Sequence, residues 1–260
     1  MDRTTKPAYS LSSVDNCLRL LQMLRDAGEV RLKDVAATLE IGPSTAHRLL
    51  QMLVYRGFAV QDDSRRYLAG PGLGVQVPER SGHARLRRIA EPYLELLSQQ
   101  TGETAHLMVR VGTTVRFLCT AESSGTVKIG DRRGAVLPAL STSGGKMLLA
   151  HASDADLARL YRSSAAETAG TWLPTEDFEA IVATLHRLRD LGIATNHEES
   201  EDGVCAAGIA VLDGDRAVAA VSLTVPMQRE AVLRERSTRA ALRAVARDIG
   251  GELSQGADAP

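Results

Sequence analysis

Cysteine is scarce in this sequence and long apolar runs are missing. Three cysteines, Cys17, Cys119 and Cys205, lie far apart in a chain of 260 residues. An odd, scattered set excludes a disulfide framework. No CxxC or HExxH spacing occurs, which removes the common zinc arrangements, and neither a metal nor a cofactor is expected. No stretch approaches ~20 consecutive apolar residues, so no membrane span is expected. The opening run MDRTTKPAYSLSSVDN holds no apolar segment fit for a signal sequence, and the expected location is the cytoplasm. Charge of one sign is lacking too. With 31 basic and 32 acidic side chains the net charge is −1, which argues against a protein that coats nucleic acid indiscriminately.

What is present is an ordinary globular composition, 44% hydrophobic and 24% charged, in a length that suits one large domain or two small ones. Val14, Cys17, Leu18, Leu21 and Leu24 recur at helical spacing and predict a helix over residues 12–26, with Ser12 or Ser13 as cap and Gly28 as its end. Leu32, Val35, Ala36 and Leu39 mark a second helix. Pro43 suits the first turn of a third, which carries Ala46, Leu49, Leu50 and Leu53 inward. Residues 58–61 and 65–68 flank Asp62-Asp63-Ser64 and read as a hairpin. The glycine- and proline-rich run over residues 70–82 reads as a connection.

Beyond it the pattern changes. A helix is expected over residues 84–100, kinked or restarted at Pro92, and then strands over 105–111 and 115–122 around a Gly112 turn. Helices follow at 143–151, 153–162 and 175–191, strands at 193–198, 204–212 and 216–225, and a closing helix at 229–253. Strands and helices that do not strictly alternate define an α+β fold.

Three short helices, a tight turn at Ile41-Gly42-Pro43 and a hairpin match a winged helix-turn-helix. On the third helix the polar residues Ser44, Thr45, His47, Arg48 and Gln51 stand opposite the apolar stripe, toward its N-terminal half. A recognition helix presents that end to the major groove, where arginine pairs with guanine and glutamine with adenine. The hydroxyls of Ser44 and Thr45 suit a phosphate, and Arg65 and Arg66 on the wing suit the backbone or minor groove. The plainer alternatives are a solvated helix face, a local cap at Ser44 and local packing of His47.

The runs SVDNCLRLLQML, LKDVAATLEIGPSTAHRLLQMLVYRGF and RRYLAGPGL resemble the N-terminal domain of IclR-type transcriptional regulators. GETAHLMVRVG, LPALSTSGGKMLLA and GVCAAGIAVLDGDRAVAAVSLTVP resemble that family's effector-binding domain. The resemblance spans roughly residues 12–250. It implies a winged domain over 1–72, a linker and linker helix over 73–100, a GAF-like effector domain over 101–254 and a tail over 255–260. It further implies double-stranded operator DNA and a small-molecule effector as partners, repression as the more expected action, and a homodimer or dimer of dimers.

The residues of the second half fit such a site on their own terms. Ser222 and Thr224, two apart on a strand, point to one face. The run Ser141-Thr142-Ser143-Gly144-Gly145 leads into a helix whose free amides favour an anion, so a small carboxylate is chemically sensible. Equally, Ser143 could only cap that helix and Ser222 only fill a buried position. The resemblance places Ser143, Gly144, Asn196, Ala206, Ser222 and Thr224 at ligand-contacting positions, with Val204 as an apolar wall. Two departures stand out. Asn196 replaces an acidic residue common in relatives, and Cys205 falls one position before Ala206, which turns its thiol away from the pocket.

An enzyme remains the rival reading. No Walker pattern forms around Gly145-Lys146-Met147, and GPSTA at 42–46 is no nucleophile elbow. Cys119 and His106 on facing strands could pair as thiol and base. No catalytic residue is assigned. A sequence-indifferent architectural DNA protein fits poorly with the near-neutral charge.

Overall fold

A computed structural model of the chain describes residues 11–62, 64–70, 73 and 82–255, in two compact units split after Pro78. The connection expected over residues 70–82 lies, apart from Gly70, Leu73 and Gly82, outside the described residues, as do 1–10 and 256–260.

The first unit contains α1 (Ser12–Ala27), β1 (Glu29–Arg31), α2 (Leu32–Leu39), α3 (Pro43–Tyr55), β2 (Ala59–Gln61) and β3 (Arg66–Ala69). Gly28 ends α1 in the left-handed conformation that glycine adopts without strain, its N–H bonded to the Leu24 carbonyl. Neither Ser12 nor Ser13 caps α1; Leu11 holds the cap position without a side-chain bond. The inward face also differs from the expected stripe. Leu20 and Leu24 are fully buried, whereas Val14 and Leu18 are 49% and 55% exposed. Because α1 is apolar on two sides, spacing alone could not say which side meets α2, α3 and the small sheet.

The turn between α2 and α3 runs through Glu40, left-handed at φ 54°, with Ile41 N–H bonded to Ala36 O at 3.1 Å. Gly42 caps α3 and Pro43 occupies its first position, where the missing N–H costs nothing. Ala46, Leu50 and Leu53 are buried against Leu20, Leu24, Val35 and Tyr67. The wing is three-stranded, in the order β1-β3-β2 and antiparallel throughout, so the expected hairpin gains the short β1.

The second unit is built on a six-stranded antiparallel sheet in the order β6-β5-β4-β9-β8-β7. Its strands are β4 (Thr104–Val111), β5 (Thr114–Ala121), β6 (Val136–Pro138), β7 (Ala194–His197), β8 (Val204–Asp213) and β9 (Arg216–Pro226). One face packs on α4 (Gly82–Thr101) and α9 (Arg236–Gln255) through Leu94, Leu97, Leu107, Val221, Leu223 and Ile249. The other packs on α5 (Ser143–Ala150), α6 (Asp154–Arg162) and α8 (Thr175–Leu191), with α7 (Ser164–Ala169) following α6. At about 25 cal/mol per Å² of apolar surface, these two layers supply most of the unit's folding drive.

Two expectations are corrected here. The helix α4 runs unbroken across Pro92, whose ring lies on the exposed side. The closing helix does not begin at residue 229. A 3₁₀ segment spans Met227–Arg234, extended Glu235 breaks it, and α9 starts at Arg236.

Candidate functional site

On the first unit, Ser44, Thr45, His47, Arg48 and Gln51 are all exposed on α3, and Ser44 makes no cap because Gly42 precedes the helix. The Gln51 amide lies 3.5 Å from the Tyr67 hydroxyl, which ties the end of this row to the wing strand β3. The two wing arginines part company. Arg65 sits exposed at the tip, left-handed at φ 58°, in a turn closed by Asp62. Arg66 turns back across the sheet, its Nη1 at 2.9 and 3.1 Å from the two carboxylate oxygens of Glu29. Arg65 is thus exposed at the wing tip, whereas the Arg66 head group is paired with Glu29.

On the second unit, strand pairing gathers the polar residues in two rows. Asn196 pairs with Ala206, Ala206 with Thr224, and Thr224 with Thr104. Ala194, Gly208, Ser222, His106 and Thr120 form the next row. Residues directly opposite in an antiparallel pair share a face, so all of these face α5, and so does Val204, two before Ala206. The intervening Val221, Leu223 and Val225 enter the core on the α4/α9 side.

The start of α5 lies directly on this face. A Cβ added to Gly208 would fall 2.6 Å from Gly144 N and 2.8 Å from Ser143 C, so glycine is needed there for the helix to sit on strand backbone. A Cβ on Gly144 would instead meet a side chain, the Met108 sulfur at 2.5 Å. Thr142, not Ser143, is the cap: its Oγ1 accepts from Gly145 N–H at 3.1 Å. The amides of Ser143 and Gly144 precede the first intrahelical acceptor, as at any helix start.

His106 is fully buried between two hydroxyls. Its Nδ1 and Nε2 each lie 2.9 Å from an Oγ1, of Thr120 and Thr224 respectively. Burial, aided by the Arg132 charge, pushes its pKa down to about 3, so the imidazole is neutral and donates through only one nitrogen. Ser222, 1% exposed, has no hydrogen-bond partner for its hydroxyl. A buried hydroxyl left unpaired costs about 1–3 kcal/mol, which a ligand accepting or donating there would relieve.

Asn196 is spoken for by the protein. Its amide nitrogen donates to Ser141 O at 2.5 Å and to Ser200 Oγ at 2.9 Å, while its oxygen accepts from Glu199 N–H at 3.1 Å. It thus shapes the segment over residues 198–203, which is further held by ion pairs of Glu199 with Lys146 and Glu201 with Arg132.

Sequence reasoning missed His106, Thr104 and Thr120 as members of this face. His106 alternates with apolar Ala105 and Leu107, a usable signal, but its partner Ser222 is 116 positions away and only the fold reveals it. The thiol–base pair fails. Cys119 pairs with Leu107 and lies in the opposite core, and burial pushes its pKa up to about 12. Cys205 lies on that side as well, as its one-residue offset requires.

A winged helix-turn-helix unit and a GAF-like sheet domain in one chain define a DNA-binding transcriptional regulator. The chain belongs to the IclR family: the Bacterial transcriptional regulator IclR C-terminal model matches residues 81–250 and the IclR helix-turn-helix domain model residues 13–63. It is 32% identical over 257 residues to the transcriptional regulator BhcR of Paracoccus denitrificans, covering 96% of this chain and 90% of BhcR. It is 27% identical over 247 residues to the transcriptional repressor AllR of Escherichia coli, covering 93% and 90%. Among solved structures, an IclR homolog from Microbacterium hydrocarbonoxydans complexed with 4-hydroxybenzoate superposes with a TM-score of 0.60. That match is 24% identical and covers 94% of this chain and 99% of the other. Among the described residues no helix is long and apolar enough to cross a membrane.

Proposed function

We propose that this regulator is a repressor that holds operator DNA through residues 1–72 and releases it when residues 101–254 bind a small organic acid or aromatic catabolite. Arg48 and Gln51 read base edges, Ser44, Thr45 and Arg65 engage phosphates, and His47 borders them. Arg66 acts by bracing the wing on Glu29. The carboxylate of the effector sits on the amides of Ser143 and Gly144 and on the Ser222 hydroxyl, and Thr224, whose hydroxyl donates to Thr104 O at 3.3 Å, lines the site beside it. Val204 and Ala206 bound its apolar part, and Asn196 holds the covering segment. An IclR homolog of this fold holds 4-hydroxybenzoate, itself an aromatic carboxylate.

The observation that carries the effector half is the partnerless Ser222 hydroxyl beside the start of α5. We read this face as a binding site; the thiol–base pair weighed from the sequence does not form there, because Cys119 lies in the core on the opposite side of the sheet from His106. The protein acts in the cytoplasm as a homodimer or dimer of dimers. The exposed Leu11 at the cap of α1, Val14 and Leu18 on α1 and Leu96 on α4 support such pairing.

The test is selection of genomic fragments by purified protein at fixed, near-physiological salt. Enrichment of one palindromic intergenic site is expected, and the neighbouring genes then nominate carboxylates to assay for release of the operator without product formation. Binding that favours no site and only fades with salt would overturn the reading.

A further inference from the structure

On the sheet face away from the effector site, three ligand-bearing side chains meet that no sequence spacing announces. His197 ends β7 and pairs with Cys205 of β8, which brings Nδ1 to 3.3 Å from Sγ. Glu230, from the 3₁₀ segment before α9, places a carboxylate oxygen 3.5 Å from the same nitrogen. All three ligand atoms lie within 4.8 Å of one another. A tetrahedral ion with metal–sulfur, –nitrogen and –oxygen bonds of about 2.3, 2.0 and 2.1 Å needs neighbouring donors about 3.4–3.6 Å apart. The two closest separations here, 3.3 and 3.5 Å, lie within about 0.2 Å of those distances.

We infer that His197, Cys205 and Glu230 bind a thiophilic divalent cation, zinc by type, with water completing the coordination. Thiolate, imidazole and carboxylate together suit zinc better than the harder calcium or magnesium. The sulfur is buried while His197 is exposed and Glu230 half-buried, so the ion enters from solvent onto a protected ligand. Binding replaces the thiol proton: the S–H bond breaks, the sulfur–metal bond forms and the proton leaves to the buffer, with no redox change. Arg234 donates at 2.7 Å to the same Glu230 oxygen, so on ion binding it gives up that oxygen or shifts to the other. The ion would join β7 and β8 to the segment leading into α9.

The experiment titrates cobalt(II) into the full chain, stripped of metal and kept reduced, and reads the near-ultraviolet thiolate-to-cobalt charge-transfer band. One equivalent per chain is expected, with zinc displacing it. Cys205→Ser should abolish the band, while Cys17 and Cys119 remain as internal controls. His197→Ala, an exposed change that leaves the fold intact, should weaken binding at least tenfold, since even outer-sphere partners of metal ligands are worth about 10–100-fold. No thiolate band in the parent chain overturns the site. So does a band that survives Cys205→Ser, or one indifferent to His197→Ala.

Discussion

Alanine at Gly208 is the sharpest perturbation the effector domain offers. The added Cβ would meet Gly144 N at 2.6 Å, Ser143 C at 2.8 Å and Gly144 Cα at 3.0 Å, all backbone atoms. Ordinary carbon contacts lie near 3.5–4.0 Å, so the start of α5 must lift by about 1 Å. Overpacking of this kind costs about 1–3 kcal/mol, and a strand alanine regains up to about 1 kcal/mol of backbone entropy. A net loss of about 1–2 kcal/mol corresponds to a fall in Tm on the order of 2–8 °C for a domain of this size. Gly251 in α9 is the matched control. A Cβ there meets nothing within 4 Å, so Gly251→Ala should stabilise by about 0.5–1 kcal/mol. Thermal and urea unfolding of the full chain, followed by circular dichroism, should give opposite signs for the two changes. A Gly208→Ala chain as stable as its parent would refute the seating of α5 on strand backbone.

Ser222→Ala removes a buried hydroxyl that lacks a partner, so the unliganded chain should be no less stable, and operator affinity unchanged, while the effector response is lost; a retained response removes Ser222 from the site. Arg48→Ala should cost about 1–3 kcal/mol of discrimination at one base pair, measured by binding to single-site operator variants, and equal loss on random DNA would make it a phosphate contact. Arg65→Ala should weaken all DNA uniformly and lower the salt slope by about 1, whereas Arg66→Ala, which frees Glu29, should register in unfolding of the winged unit. His106 titrates near 6.5 when unfolded but at about 3 when folded, so below that first value only the unfolded chain takes up the proton. Stability should therefore fall by up to about 1.4 kcal/mol per pH unit from roughly pH 6.5 toward 3 and be insensitive to this group above. His106→Gln should flatten that part of the profile, and an unaltered slope would show the imidazole is not held neutral.

The elements that sequence pattern reveals are those stabilised locally. The periodic faces of α2, α3, α4 and α8, the glycine end of α1 and the turn at Gly112 all follow from spacing and turn chemistry. Three elements escaped for a shared reason. The strand β1 exists because Glu29–Arg31 pairs with β3 some 37 positions on, and β6 because Val136–Pro138 closes onto β5 across a long connection. Three residues carry no period of their own. The short α7, six residues behind a Ser163 cap, was also below that threshold. The site divides in the same way. Alternation along β9 correctly put Ser222 and Thr224 on one face, and alternation along β8 turned Cys205 away. Register across the sheet, which adds His106 to that face and sets His197 beside Cys205, is written in no single segment. Arg66 illustrates the remaining gap, since its charge was legible but its partner Glu29 belonged to an unforeseen strand.

The alternation of β9 over residues 219–225 has a consequence for how such a regulator changes partners over generations. Positions 222 and 224 look onto the proposed ligand, while Val221, Leu223 and Val225 knit the helices behind. Substitutions at 222 and 224, with their cross-strand neighbours 106 and 206, can recut chemical preference with little disturbance to the layer that keeps the domain folded. Drift in ligand choice and drift in stability then travel on separate sets of codons within a single strand. A mutational library confined to those four positions should accordingly be rich in folded proteins that answer to different small molecules.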